Sequence, residues 1–452
     1  MEKYLLISIQ NMRGSTLVRF NILKVGMNSQ LEKLFLLTFF IYYVLSFLFP
    51  QPNQFIMRIT PLVLGVAAYI FLFLLVDPKI KKKDLTSLAM LTLFSLLASS
   101  YIILEKGITG ALSMENLFFL SLPLFYITAS RLSSEKDEVF VYKLFLYFIG
   151  FQFFVLLGQG MKMLTGVGFN TPAEYSAVSD QVDYANMLSG TFLNSNDLAC
   201  LVMMIGVYFL LLKHYRGYRV GIGLGLICLI LILTASRMSI FLFALSIFIF
   251  GLTKNRFSIS NVLSIIFVSL PLLIITSMLF YGLISSFSDS IEAISRVKNR
   301  IDTIFTIFEN GISSDNSMSV RFESYLNFTN NLMNLGYGTA KLRDYGIFVE
   351  HLGYKFSLLA VNPHSFIVEI GYWMGWPGLI LFISFLFFLF MNKLSVFNFF
   401  VFMIFLLASM ISSSAINNFF LFFSFFCCAL MAGEETKKDI SFSDKLSHVS
   451  KY

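Results

Sequence analysis

The chain of 452 residues is 57% hydrophobic and 17% aromatic, with only 13% Asp, Glu, Lys and Arg and a formal net charge of +7. Mean hydropathy is +0.77. A soluble domain carries roughly 25% charged residues, so a soluble enzyme is excluded, and the surplus of cations reads as membrane topology rather than as a nucleic-acid surface.

Uninterrupted apolar blocks, most near the roughly 17–25 residues of a membrane span, recur at about 34–49, 59–76, 85–104, 111–129, 139–165, 196–212, 219–235, 237–252, 259–284, 365–391, 395–411 and 416–432. They predict an all-α integral membrane protein of about twelve transmembrane helices. No small-residue cleavage pattern follows the first block, which reads as a retained span. Lys and Arg gather in the N-terminal segment, at 79–83, around 213–219 and in the tail, whereas the short alternate connections carry Arg58, Lys106 and almost nothing else. By the positive-inside rule both termini are cytoplasmic. The expected organisation is a cytoplasmic segment 1–33, helices one to nine over 34–284, and a large extracytoplasmic loop at about 285–363. Helices ten to twelve then occupy 364–432, and a cytoplasmic tail covers 433–452.

Residues 219–252 pose a choice. One helix of that length measures about 51 Å, too long for a core of about 30 Å, and it buries Arg237 at mid-depth. Two short helices turning at "TASR" (234–237) satisfy length and charge, with Arg237 at the outer edge. The outer segment 166–195 carries no Lys or Arg but includes Glu174, Asp180 and Asp183.

Loops as long as 285–363 inside a compact architecture are commonly functional or disordered. "SIEAISRVKNRIDTIFTIF" (290–308) sets Ile291, Ile294, Val297, Ile301, Ile304 and Phe308 at helical steps, an amphipathic helix with Arg296, Lys298 and Arg300 off the stripe. "SVRFESYLNFTNNLMNLGYG" (319–338) predicts a second helix capped by Ser319. Arg321 in its first turn opposes the helix dipole and is badly placed for stability alone. Gly336 and Gly338 end that helix and permit close backbone approach. In "NPHSFIVEIG" (362–371), Asn362 reads as a cap and Pro363 as a first helical residue, which puts His364 in the first turn of the tenth span. Glu369 is a costly intramembrane carboxylate, read as a structural partner.

The four cysteines (Cys200, Cys228, Cys427, Cys428) lie in apolar blocks without metal-ligand spacing and read as buried small hydrophobes. No Walker loop, dinucleotide fingerprint, H-E-x-x-H or His/Cys cluster occurs. "DQVD" (180–183) has the wrong spacing for a metal–nucleotide motif.

Together these pieces resemble the O-antigen ligase and O-antigen polymerase family of membrane glycan-assembly proteins. "GTFLNSNDLA" (190–199), with Asn194 and Asn196, is similar to that family's entry into a span. "LTASRMS" (233–239) resembles its S-R-G turn, with Met238 where glycine is usual. "SVRFESY" (319–325) with "GYG" (336–338) resembles its S-V-R helix and G-x-G segment. "NPHSFIVEIGYWMGWPGLI" (362–380) resembles its H-N signature, with Ser365 where asparagine is common. The resemblance covers about 190–390; the first 180 residues match only in hydrophobic pattern.

It implies a metal-independent glycosyltransferase without cofactor at the outer face of the bacterial cytoplasmic membrane, using a polyprenyl-diphosphate-linked glycan as donor. Arg237 and Arg321 would hold the diphosphate and His364 would assist the acceptor hydroxyl, with Asn194, Asn196, Glu369, Gly336 and Gly338 in support. Membrane lipid and a chain-length-regulating co-polymerase are the implied partners, and nucleic acid is not one. The leading expectation is a polymerase of surface-polysaccharide repeat units, and a ligase with another cell-envelope acceptor is the alternative. A transporter would instead show interrupted spans and paired halves converging at mid-membrane.

Overall fold

A computed structural model describes residues 30–75, 84–132, 135–175, 188–254, 324–342, 365–392, 394–411 and 415–432. Those residues form helices and connections, with no strand among them. In chain order the helices are α1 (Gln30–Leu48), α2 (Phe55–Leu75), α3 (Leu85–Lys106), α4 (Met114–Arg131), α5 (Glu135–Thr165), α6 (Ser195–Arg216), α7 (Gly221–Thr234) and α8 (Arg237–Lys254). A short α9 (324–330), α10 (Phe366–Met391), α11 (Val396–Ser409) and α12 (Phe419–Ala432) complete them. Eleven of the expected spans thus have a helix, and the twelfth, at 259–284, lies outside the described residues together with the basic amphipathic segment 290–308.

Five helices are long and apolar enough to cross a membrane: Gln30–Leu48, Leu85–Lys106, Asp137–Thr165, Ser195–Arg216 and Phe366–Met391. Large apolar side chains point outward along the bundle, among them Leu64 at 63%, Phe71 at 63% and Leu104 at 80% exposure. In water such a surface would be an aggregation liability; against lipid it is the expected face. The chain is a multi-pass membrane protein.

The bundle is organised round two parallel helices. Every residue of α12 is buried, as is α6 along most of its length. Near their starts the Asn418 side-chain amide donates to the Asp197 carbonyl at 3.0 Å, and deeper in the Cys428 thiol approaches the Met204 carbonyl at 3.9 Å. Aromatic rings fill the space around them: Phe405 stacks on Phe425 at 3.9 Å, and Phe118 meets Phe422 edge-on at 5.2 Å. Such pairs add specific geometry to burial.

Three ion pairs tie helices together at one end of the bundle. Arg131 at the end of α4 meets Glu32 of α1 at 2.8 Å, Lys33 meets Asp137 of α5 at 2.8 Å, and Arg216 at the end of α6 grips Glu138 with two hydrogen bonds of 3.1 Å. The three cations, assigned to one side by the sequence, do lie at one end. Each half-buried charge has a partner, as low dielectric requires.

The "TASR" junction is a turn between two helices. Ala235 takes a left-handed conformation (φ 50°, ψ 31°) and its N–H donates to the Ile232 carbonyl at 3.0 Å. The Ser236 carbonyl then accepts from Ile240, and its hydroxyl lies 3.0 Å from that of Ser239. Arg237 opens α8 at the end of the bundle opposite the ion pairs.

The tenth span departs from expectation. Its helix is interrupted at Gly375 (φ 61°, ψ −150°), and the Phe366 and Phe382 rings lie 5.1 Å apart. Sixteen residues of straight helix would separate them by about 24 Å. Residues 366–374 and 376–391 therefore fold against each other as a helical hairpin, although length and composition alone make the segment one span. Three of the cysteines are buried as expected, but Cys228 faces outward on α7.

Gly375 sits in a backbone region open essentially only to glycine, and an added Cβ would overlap the Gly336 carbonyl and the Gly338 N–H. Gly375→Ala should lower the thermal midpoint strongly, losing about 1–3 kcal/mol from strain alone. Gly150→Ala, where a Cβ meets nothing, should be neutral or mildly stabilising. Thermal unfolding monitored by fluorescence-detected size exclusion checks the pair; equal midpoints would remove the hairpin reading.

Candidate functional site

At the end of the bundle away from the ion pairs, several helices begin beside one another. Asn194 caps α6: its backbone is extended (φ −126°, ψ 134°) and its side-chain oxygen accepts from the Asn196 N–H at 2.8 Å. One side chain of the "N-S-N" pair thereby fixes the backbone of the other. The start of α8 packs on α6, with the Ser239 hydroxyl 3.9 Å from the Cys200 thiol. The start of α12 is tied to α6 through Asn418 and Asp197; the first arm of α10 runs the opposite way, toward this end, and Phe366 at its deeper start meets Phe422 of α12 at 5.1 Å. Helix N-termini present unpaired N–H groups and a partial positive charge, so this end is electrostatically suited to an anion. Arg237, half-buried, adds a full cation there.

The segment entering α6 is held by two glutamines that sequence reasoning passed over. Gln159 accepts from the N–H groups of Ser189 and Gly190 and donates to the Gly190 carbonyl; Gln152 donates to the Thr191 hydroxyl at 2.8 Å and accepts from its N–H at 3.1 Å. Gly190 has φ 61°, and a Cβ there would collide with Gln152. The signal was present: Gln152 and Gln159 are seven residues apart on one face of the uncharged stretch 144–161 of α5, and intramembrane amides need partners.

The "GYG" segment docks on the break in α10, and the backbone of 336–340 partners three of the groups there. Pro377 has no N–H for the Trp373 carbonyl, which instead accepts from Ala340 at 3.0 Å. The Trp376 N–H donates to the Gly336 carbonyl at 3.0 Å, and the Tyr372 carbonyl accepts from Thr339 at 2.8 Å. Gly338 (φ 74°) lies so close to the Trp373–Gly375 backbone that no Cβ fits. Close approach was the sequence expectation for Gly336 and Gly338; Gly338 provides it, whereas a Cβ at Gly336 (φ 49°) would meet nothing and that residue contributes its carbonyl. The Tyr101 hydroxyl donates to the Tyr337 carbonyl at 3.0 Å, anchoring the clasp to α3.

The start of α10 corrects the capping assignment. The helix begins at Phe366, and the cap is Ser365, extended at φ −150°, whose hydroxyl accepts from the Val368 N–H at 3.5 Å. Asn362 and Pro363 are therefore not the cap and first residue of this helix, and position 364 precedes the cap instead of occupying the first turn. Serine and asparagine are both strong N-caps, so Ser365 does locally what the family's asparagine can do. Glu369 is 1% exposed in the first turn, where the helix dipole favours a carboxylate. Met238, in place of the usual glycine, is 41% exposed and points outward.

Arg321 and His364 lie outside the described residues, as do Ser319, Asn362 and Pro363. Their described neighbours reach the same end of the bundle. Tyr325, four residues after Arg321, donates to the Met410 carbonyl at 3.5 Å at the end of α11, and Phe328 meets Tyr372 edge-on at 5.4 Å. The Ala408 carbonyl, on the last turn of α11, accepts from the Cys200 thiol at 3.3 Å beside Ser239. Arg237, α9 and Ser365 thus belong to one neighbourhood. Among the described residues no group of three or more His, Cys, Asp or Glu is arranged to hold a metal.

The fold and this end of it define a multi-pass helical membrane protein with helix N-termini and an arginine converging on one side. Residues 222–383, about a third of the chain, match the family model described as O-Antigen ligase, so this part of the chain is similar to that family. The match contains Arg237, Arg321, Gly336, Gly338, His364 and Glu369, whereas Asn194 and Asn196 precede it. Comparison with curated proteins and with solved structures gave no match. Members of the family are glycosyltransferase-like enzymes of the ligase or polymerase kind, and lipid-linked glycans are the substrates the family implies.

Ser365→Asn should preserve stability and activity, while Ser365→Ala should lose about 1 kcal/mol through loss of the cap. Thermal midpoints of the two variants measure this; an alanine variant as stable as wild type would mean that the hydroxyl does not cap α10.

Proposed function

We propose that the protein is a polymerase of surface-polysaccharide repeat units, moving a growing glycan from polyprenyl diphosphate to a lipid-linked repeat unit at the outer face of the cytoplasmic membrane. The observation that carries this reading is the gathering, at one end of the bundle, of Arg237, the α9 segment that follows Arg321 and the Ser365 cap that follows His364, inside the span matched by the family model.

In the reaction the acceptor hydroxyl attacks the anomeric carbon of the donor, the bond from that carbon to the diphosphate oxygen breaks, and the hydroxyl proton must leave. Arg321 and Arg237 supply bidentate hydrogen bonds to the departing diphosphate, with the helix N-termini adding partial positive charge. Such charge stabilisation requires no metal ion. His364 accepts the proton. With Ser365 as the cap, residue 364 precedes the helix. The dipole effect falls off within a turn, so the argument for a neutral ring is weaker than a first-turn position would give. The general-base role therefore rests on the resemblance and on the need for a proton acceptor.

A ligase that transfers to another cell-envelope acceptor is the second reading, favoured by the matching family's description as O-Antigen ligase. The donor chemistry is common to both, and the acceptor separates them. A chain-length-regulating co-polymerase fits the first reading alone.

Two measurements test the proposal. With purified protein and lipid-linked repeat units extracted from a strain blocked in polymerisation, glycan transfer should continue in EDTA. It should fall about 10²–10⁴-fold in His364→Gln, as for loss of a positioned base, and about 10²–10³-fold in Arg321→Lys. Substantial turnover by His364→Gln would convert the base into a hydrogen-bonding positioner, and restoration by Mg²⁺ after EDTA would overturn the metal-free chemistry. For topology, Ser314→Cys should react with an impermeant maleimide in intact cells. Labelling only after lysis would put residues 285–363 on the cytoplasmic side.

A further inference from the structure

A cavity of about 290 Å³ opens at the same end of the bundle, between the ends of α1 and α5 and the segment entering α6. Ser46, Phe47, Phe169, Asn170, Gly190 and Thr191 are among its walls. No residue of the lining carries a charge. The size suits a sugar ring and lies near the lower limit of small-molecule sites, roughly 300 Å³.

The walls are built rather than incidental. Phe169 rests on Gly158, where any Cβ would enter its ring, and its N–H donates to the Gly158 carbonyl at 3.0 Å. Phe47 meets it edge-on at 4.9 Å and Phe154 packs on it at 5.4 Å. The polar groups have defined senses. Ser46 donates to the Tyr42 carbonyl at 2.8 Å, so its lone pairs accept. The Thr191 oxygen accepts from Gln152 at 2.8 Å, so its hydrogen can donate. Ser46 is 7% and Thr191 8% exposed. A cation beside it, Lys162, is paired with Glu174 and donates to the Asn170 side-chain Oδ1. Burial works against ionisation of Glu174, but Lys162 and the Thr171 N–H outweigh it and hold the carboxyl below its usual range. The neighbouring charges therefore cancel, and the cavity itself is neutral.

An aromatic wall with one fixed acceptor and one fixed donor matches a ring that has an apolar C–H face and hydroxyl edges. It offers nothing to a diphosphate. We propose that this cavity is a sugar-binding subsite for an uncharged glycosyl residue of the lipid-linked acceptor. Its back wall, Gly190–Thr191, leads within three residues to the Asn194 cap, while Arg237 stands on α8, a different neighbour of α6. The acceptor would thereby be held apart from the cationic donor position. This inference rests on the transferase reading above.

The test uses purified full-length protein, lipid-linked polymer as donor and the extracted lipid-linked repeat unit as acceptor, each varied in turn, with the free repeat-unit oligosaccharide and polyprenyl monophosphate as probes. Wild-type transfer must be seen first; its absence counts against the transferase reading whatever the variants do. Given transfer, Thr191→Val and Phe169→Leu should each raise the acceptor KM about tenfold, as for loss of one contact, with kcat and donor KM within twofold. Unchanged acceptor KM, or a fall in kcat alone, overturns the subsite. Leu48, 56% exposed at the cavity mouth, gives a readout that does not depend on those variants folding. In a Cys228→Ser background, Leu48→Cys should be shielded from a bulky maleimide by the free oligosaccharide and not by polyprenyl monophosphate. Shielding by the lipid alone would make the cavity a lipid site, and no shielding by either would leave it without a ligand; both overturn the proposal.

Discussion

Within a bilayer no water can complete an interrupted helix, so every N–H and carbonyl freed by a break needs a protein partner. The break at Gly375 meets that demand through the backbone of 336–340. Gly336 accepts what Trp376 cannot give inside its own helix, and Thr339 and Ala340 donate to the two carbonyls that Pro377 and the turn leave open. The fit works only because Gly338 and Gly375 have no side chains where the two backbones meet. From this clasp follow the hairpin shape of α10, the position of the Ser365 cap beside α12, and the seating of α9 against Tyr372. Two motifs more than thirty residues apart in sequence are one structural device.

The ends of the bundle are chemically unlike, and the difference is physical rather than nominal. At one end full charges are paired across helices, Glu138 with Arg216 and Glu32 with Arg131, which fixes helix ends and leaves little net field. At the other, Lys106 pairs with Glu115 and Lys162 with Glu174 at the rim, while around the starts of α6, α8 and α12 the polar groups are amides, hydroxyls and helix N-termini, with Arg237 among them. A site that must bind a doubly charged leaving group and later release it gains from such partial charges, because they stabilise without demanding a buried counter-ion. The mutual contacts of α6, α8, α12 and the first arm of α10 are therefore the main structural support for a site at this end.

Much of this was legible in the sequence, for identifiable reasons. Hydrophobic block length gave helix positions to within a few residues, and the length limit of a bilayer correctly split 219–252 at Ala235, whose left-handed conformation makes the turn. The close approach expected of Gly336 and Gly338 is realised at Gly338, and at Gly336 a Cβ would have room. The hairpin in α10 was not legible, because residues 366–391 are apolar throughout and hydropathy carries no information about direction. The partner that satisfies the break also lies outside any local window. Capping was misassigned for a related reason: "NPHS" contains two good caps, Asn362 and Ser365, and local propensity cannot choose between them when tertiary packing sets where the helix begins. Gln152 and Gln159 were visible as polar residues, but their partners at 189–191 depend on how α5 and α6 meet.

The serine at 365 shows how a departure from a family pattern is to be weighed. Read as a string, the loss of asparagine next to His364 weakens the resemblance at its most informative point. Read as a structure, the position is an N-cap, and serine and asparagine differ little in that role. Met238 is a similar case: a glycine is needed where a Cβ has no room, and at 41% exposure the side chain there meets no such limit. Gly375 is the opposite case, since both its conformation and its neighbours exclude any other residue. A substitution bears on function according to the physical demand its position makes, and by that measure the clasp around Gly375 constrains this end of the bundle more tightly than either departure loosens it.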